Sequence, residues 1–93
     1  MRKSIHTSEY AELCEILRGI RNEAGLSQRA LALRLKVTPS WVAKVETGER
    51  RIDLIEFGRF VGACGGNVDQ AFAQAAALLS VKLVKRRRKG GSL

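Results

Sequence analysis

The sequence predicts an all-α fold built from five helices, and three observations carry that expectation. Alanine and leucine are frequent, and the chain holds a single proline, Pro39. Alternating apolar runs, the mark of half-buried strands, are scarce, whereas apolar residues recur at three- and four-residue spacing. Glycines stand at Gly25, Gly48 and Gly65-Gly66, each just after such a periodic segment, where helices stop. At 93 residues the chain makes one small domain, near the lower end of what a single core supports without staples.

The first helix is expected over about residues 8–24. Thr7 or Ser8 caps it, Glu9 and Glu12 sit in its first turn where the helix dipole favours anions, and Gly25 ends it. Leu13, Leu17, Ile20 and Ala24 define its buried face. Ser27 opens a second helix, residues 28–36, which buries Leu31, Ala32 and Leu35 and carries Gln28 at its N-terminus. Only Val37 and Thr38 separate it from a third. There Thr38 is the cap and Pro39 takes the first helical position, where a missing N–H is harmless, and Gly48 closes the helix. A short helix, a tight turn and a second short helix make a helix-turn-helix in outline.

The polar run ERRID, residues 49–53, leads to Asp53 as cap of a fourth helix, about 54–64. Its apolar face is Leu54, Phe57, Phe60, Val61 and Cys64. Gly65-Gly66-Asn67 breaks the chain before a fifth helix, from about Asp69 to Ser80 or a little beyond, with Val68, Phe72, Ala75 and Leu79 on one side. The expected organisation is an N-terminal arm, 1–7, a helix-turn-helix domain, 8–80, and a basic C-terminal tail, 81–93. The closing RRRKGGSL has the composition of a disordered end.

Charge divides unevenly along the chain. Of the formal +8, six positive charges lie at Lys82, Lys85, Arg86, Arg87, Arg88 and Lys89 with no acid among them. Residues 1–81 hold eleven Lys/Arg against nine Asp/Glu, a balance of only +2. A basic tail on a nearly neutral body points to a polyanion, most simply nucleic acid. No apolar run approaches the roughly 18 residues of a membrane span. The N-terminus lacks the apolar core of a signal peptide, so the expected location is cytoplasmic. Cys14 and Cys64 fall on apolar stripes and read as reduced, buried thiols. With His6 standing alone, they are too few for a zinc site, and no cofactor is expected. No nucleophile–base pair, carboxylate dyad or metal cluster stands out, so catalysis is not expected.

The third helix has two unlike faces. At about 100° per residue, Val42 and Val45 point to one side, toward the core, and Ser40, Ala43, Lys44 and Thr47 gather on the other. Trp41 and Glu46 lie on the flanks, each about 70° from the buried centre. The outer ridge is too small and polar to be core, and too weakly charged to be a merely solvated face. It suits a DNA major groove, about 12 Å wide, which admits one helix.

The stretch GLSQRALALRLKVTPSWVAKVETGERR resembles the Cro/repressor-type (XRE) helix-turn-helix signature. Gly25, Leu26, Ser27, Gln28, Leu31, Ala32, Leu35, Val37, Val42, Glu46 and Gly48 fall in its register without a gap, and the likeness covers about residues 10–75. The resemblance implies a phage-repressor-like domain with the third helix in the major groove. Its groove-facing residues would be Pro39, Ser40, Ala43, Lys44 and Thr47. Lys44 would reach guanine O6/N7, Ser40 a base edge or phosphate, and Ala43 a thymine methyl. Gln28 would bond a phosphate and brace the recognition helix, while Arg50 and Arg51 would touch the backbone. Arg21 and Glu46 match a structural charge pair of the family. Thr38 and Trp41 complete the expected DNA-facing set, Trp41 either packing on the second helix or meeting a sugar-phosphate wall. The chain departs from the pattern at Lys36, where glycine is usual, at Ile52, where proline is common, and at Leu33, apolar where the family is exposed.

The expected partner is double-stranded DNA. One short helix reads only about 4–5 base pairs, so the expected form is a homodimeric transcriptional repressor on an inverted repeat, with half-sites roughly 34 Å apart. The alanine-rich fifth helix is the expected dimer surface, with burial in the domain's own core as the rival reading of its apolar residues. The setting is bacterial or phage-type, nucleoid-associated when bound. A rival of another class is an antitoxin whose segment 81–93 binds a toxin partner and which autoregulates its operon.

Overall fold

Side chains from the polar connections start the helices of this computed structural model, which describes the backbone of residues 7–90 and the side chains of residues 7–79. The first helix, α1 (Ser8–Glu23), is capped by the Thr7 hydroxyl, which accepts the Tyr10 N–H at 3.1 Å. Ser27 caps α2 (Gln28–Leu35) and Thr38 caps α3 (Pro39–Thr47) in the same way. Asp53 and Glu56 form a reciprocal capping box on α4 (Leu54–Ala63). The last helix is α5 (Val68–Gly90). Among the described residues there is no strand.

The helix ends follow from single residues with left-handed backbone. Gly48, at φ 85°, lets the chain turn sharply off α3. Lys36, at φ 61° and ψ 44°, does the same after α2 despite its Cβ, as the departure at that position predicts. The Val37 N–H then donates to the Ala32 carbonyl at 3.0 Å, a Schellman-type closure that sets α3 three residues after α2.

Leu17, Leu31, Val42, Val45, Phe60 and Val61 are fully buried and form one core. Phe57 stacks on Phe72 with ring centroids 5.2 Å apart, joining α4 to α5. Cys14 and Cys64 are buried and free, and burial pushes both thiols up.

Two expectations need correction. Ala24 is exposed as the cap beyond α1, and Tyr10 extends the buried face at the other end, beside the expected Cys14. Leu54 is 70% exposed, because it opens α4 one turn ahead of Phe57, past the edge of the packed layer. The backbone of the last helix continues past Ser80 to Gly90, since residues 81–89 contain no glycine or proline and are rich in lysine and arginine, which favour helix. Residues 1–6 of the expected arm and 91–93 of the expected tail lie outside the described residues.

Candidate nucleic-acid interface

Nine residues make α3, and its two valines settle which way it faces. Val42 and Val45 are wholly buried against the core, so Ser40, Lys44 and Thr47 are exposed on the opposite side with Ala43 half-buried beside them. Thr38 and Pro39 stand exposed at the N-terminal end. The Thr38 hydroxyl is occupied in capping, accepting the Trp41 N–H at 3.1 Å. The Thr47 hydroxyl donates back to the Lys44 carbonyl at 3.2 Å and accepts the Glu49 N–H at 3.5 Å, which leaves it one lone pair toward solvent.

The acid of α3 is turned inward. Glu46 is 3% exposed and forms a bidentate pair with Arg21 of α1, Nε to Oε2 at 2.6 Å and the terminal nitrogen to Oε1 at 2.9 Å. Arg18 approaches the same carboxylate at 3.9 Å. Arg21 also donates to the Leu26 carbonyl at 2.8 Å, which ties the α1–α2 turn into the network. The Glu46 hydrogen bond holds Arg21 above its ordinary range, against the opposing effect of burial. A flank position on the helical wheel thus becomes an interior one because α1 lays an arginine over it.

Gln28 is half-buried, and its amide N–H donates to Glu46 Oε1 at 3.0 Å. A carboxylate only accepts, so Nε2 must face it, and one amide hydrogen remains for another acceptor. Gln28 therefore links the start of α2 to the recognition helix.

Trp41 is half-buried on the core, with the Arg50 guanidinium 5.0 Å above its ring. Arg50 also reaches Glu56 through both terminal nitrogens, at 3.2 and 3.3 Å, and the Arg51 carbonyl at 2.8 Å. These bonds from Arg50, with that from the Asp53 N–H, hold the Glu56 carboxyl below its usual range. Arg51 lies 4.5 Å over the Tyr10 ring.

Two residues here escape a reading of the sequence, Tyr10 and Glu56. The buried Tyr10 hydroxyl accepts the Ile52 N–H at 3.0 Å and reaches the Arg50 carbonyl at 3.5 Å, fastening the α3–α4 loop to α1. Desolvation raises its pKa, more than the backbone bond lowers it. The aromatic ring in a first helical turn is the one signal that could have drawn attention to it. Glu56 reads from sequence as a helix-start acid, and its grip on Arg50 depends on a loop conformation.

Among the described residues no group of three His, Cys, Asp or Glu could hold a metal, and no helix is long and apolar enough to cross a membrane. The exposed ridge of α3, with Arg50 over Trp41 at its flank, is a surface of hydroxyls, one methyl and cations, while Arg51 lies over Tyr10 on the rim of the groove between α1, α4 and α5. The chemistry of the ridge matches base edges and phosphate oxygens.

Residues 12–71 match the model of a helix-turn-helix domain family. Among solved structures the chain is similar to an XRE-family like protein from Pseudomonas syringae pv. tomato str. DC3000, at 36% identity and a TM-score of 0.73, over 83% of this chain and 94% of that one. It is also similar to the clp gene regulator ClgR from Corynebacterium glutamicum, at 23% identity and a TM-score of 0.63 over 78% of each chain, a likeness of fold alone. Comparison with curated proteins finds no match.

Proposed function

The chain belongs to the XRE-type helix-turn-helix family, and on that premise we propose that it is a sequence-specific transcriptional repressor that reads an inverted repeat as a homodimer. The observation that carries the reading is the division of α3. Its two valines and its acid are buried, and Ser40, Ala43, Lys44 and Thr47 are left outward on a rigid mount. Lys44 takes a guanine edge, Ser40 a base edge or phosphate, and Ala43 a thymine methyl. Gln28, Arg50 and Arg51 set the register on the backbone without reading sequence.

One recognition helix of this length contacts too few base pairs to select a site in a genome, so a second copy supplies the other half-site. Support for α5 as the pairing surface comes from Leu79, 48% exposed, and Leu54, 70% exposed, at the edge of a groove of about 510 Å³ floored by Leu13, Phe57, Phe72 and Ala75. Repression by occupying a promoter is the simplest mechanism for such a domain.

Nuclease protection of DNA upstream of the protein's own gene tests the proposal. The expected result is two protected half-sites one helical turn apart, with two protein copies per duplex by light scattering. A single half-site holding one copy would rule out the dimer. Uniform coverage with no preferred sequence would rule out specific reading.

A further inference from the structure

Arg50 is a tethered cation beside the recognition helix, and Glu56 is the acid that holds it. The Arg50 N–H donates to the Lys44 carbonyl at 3.1 Å, so its backbone is fastened to the end of the recognition helix. Its guanidinium rests over Trp41, from the first turn of that helix, and meets Glu56 of α4 through both terminal nitrogens. Glu56 is itself fixed, because its Oε1 also accepts the Asp53 N–H at 3.0 Å in the capping box.

The geometry divides the guanidinium in two. The carboxylate takes the end carrying the two terminal nitrogens. Along the side edge, the Nε–H has no acceptor among the described residues. That side edge, Nε–H with the second hydrogen of its neighbour, is a bidentate fork for a phosphate.

We propose that Glu56 is a positioning residue for DNA specificity: it holds Arg50 on Trp41 so that the arginine meets a backbone phosphate only in the docked register. The proposal rests on the reading of α3 as the recognition helix. Two physical consequences follow. An arginine already held in place loses little rotamer freedom when the correct phosphate arrives. A carboxylate beside that arginine also weakens its attraction for phosphates approaching from other directions, which is the attraction behind nonspecific binding. Glu56 therefore widens the gap between specific and nonspecific affinity.

The test is Glu56→Gln in the full chain, because glutamine also serves the capping box and keeps the side-chain size. Affinity is measured on the protected operator and on a random duplex of equal length. The random duplex should bind several-fold more tightly, and the specific-to-nonspecific ratio should fall about two- to tenfold. Glu49→Gln removes the same charge from the exposed acid one residue before Arg50, so it should strengthen both affinities together and leave the ratio alone. An unchanged ratio in Glu56→Gln, or an equal fall in Glu49→Gln, overturns the proposal. So does a ratio effect that persists when Arg50→Ala is added, since Glu56 would then not act through Arg50. Failure of the wild-type chain on every duplex would instead overturn the DNA-binding reading and this proposal with it.

Discussion

Replacing Glu46 with alanine removes the acceptor around which α1, α2 and α3 meet. In the folded chain the Glu46 side chain is 1% exposed and that of Arg21 11% exposed. The substitution leaves the Arg21 guanidinium inside with the Leu26 carbonyl as its remaining acceptor, and it strips Gln28 Nε2 of its partner. Breaking a buried pair on one side costs about 3–5 kcal/mol, because an uncompensated charge stays desolvated. A chain of this size is worth about 5–14 kcal/mol in total, so the variant loses about a fifth of its stability or more. The midpoint of thermal unfolding should drop by at least about 12 °C, read by far-UV circular dichroism and confirmed in urea. The double variant Arg21→Met/Glu46→Met should recover most of that loss, since no charge is then left buried. A Glu46→Ala protein within about 1 kcal/mol of wild type would refute the reasoning. So would a double variant no better than the single one.

Three further outcomes are expected. Lys44→Ala should weaken operator binding by about 1–3 kcal/mol and relax preference at one base pair, read by competition with single-substituted operators. An unchanged preference would move the recognition face elsewhere. Deleting residues 85–93 removes five cationic side chains and should flatten the salt dependence of binding by up to about 4 units of log K per log salt, with sequence preference intact. Loss of preference would mean that the tail reads bases. Cys14 and Cys64 are buried with raised pKa values, so iodoacetamide should label them only after denaturation. Because the unfolded thiols ionise first, their burial makes the fold less stable as pH rises through the ordinary thiol value.

Much of this architecture is legible in the residues, because local chemistry decides it. Thr7, Ser27, Thr38 and Asp53 are capping types placed just before periodic segments, and each one caps. The two faces of α3 follow from the placing of Val42 and Val45. The Arg21–Glu46 pair lies beyond such arithmetic: the wheel leaves Glu46 on a flank, and only likeness to a family suggests its partner. Tyr10 and the loop it fastens are about forty positions apart in sequence, so no local pattern joins them. The fate of Arg50 is hidden for a related reason. As a loop arginine it reads as a backbone contact, yet the turn after Gly48 carries it back over Trp41 and into reach of Glu56. Leu54 misleads because helical phase says which side it faces, while its exposure depends on where the packed layer ends.

The length of α3 explains why these tertiary contacts matter to function. Isolated helices below about 12–15 residues are marginal in water, so nine residues hold neither shape nor direction by themselves. Three tethers do so instead. Val42 and Val45 anchor α3 in the core, Glu46 binds it to α1 and α2, and Trp41 with Arg50 binds it to α4 through Glu56. The tethers differ in depth, and so should the results of cutting them. Glu46 is buried, so its loss should lower stability and operator binding together. Glu56 lies nearer the surface, with 28% of its side chain exposed, and glutamine retains its capping bond. Its loss should therefore spare the fold and change only discrimination between sequences. Measuring unfolding and the specificity ratio on the same two variants separates a contact that builds the recognition helix from one that tunes it.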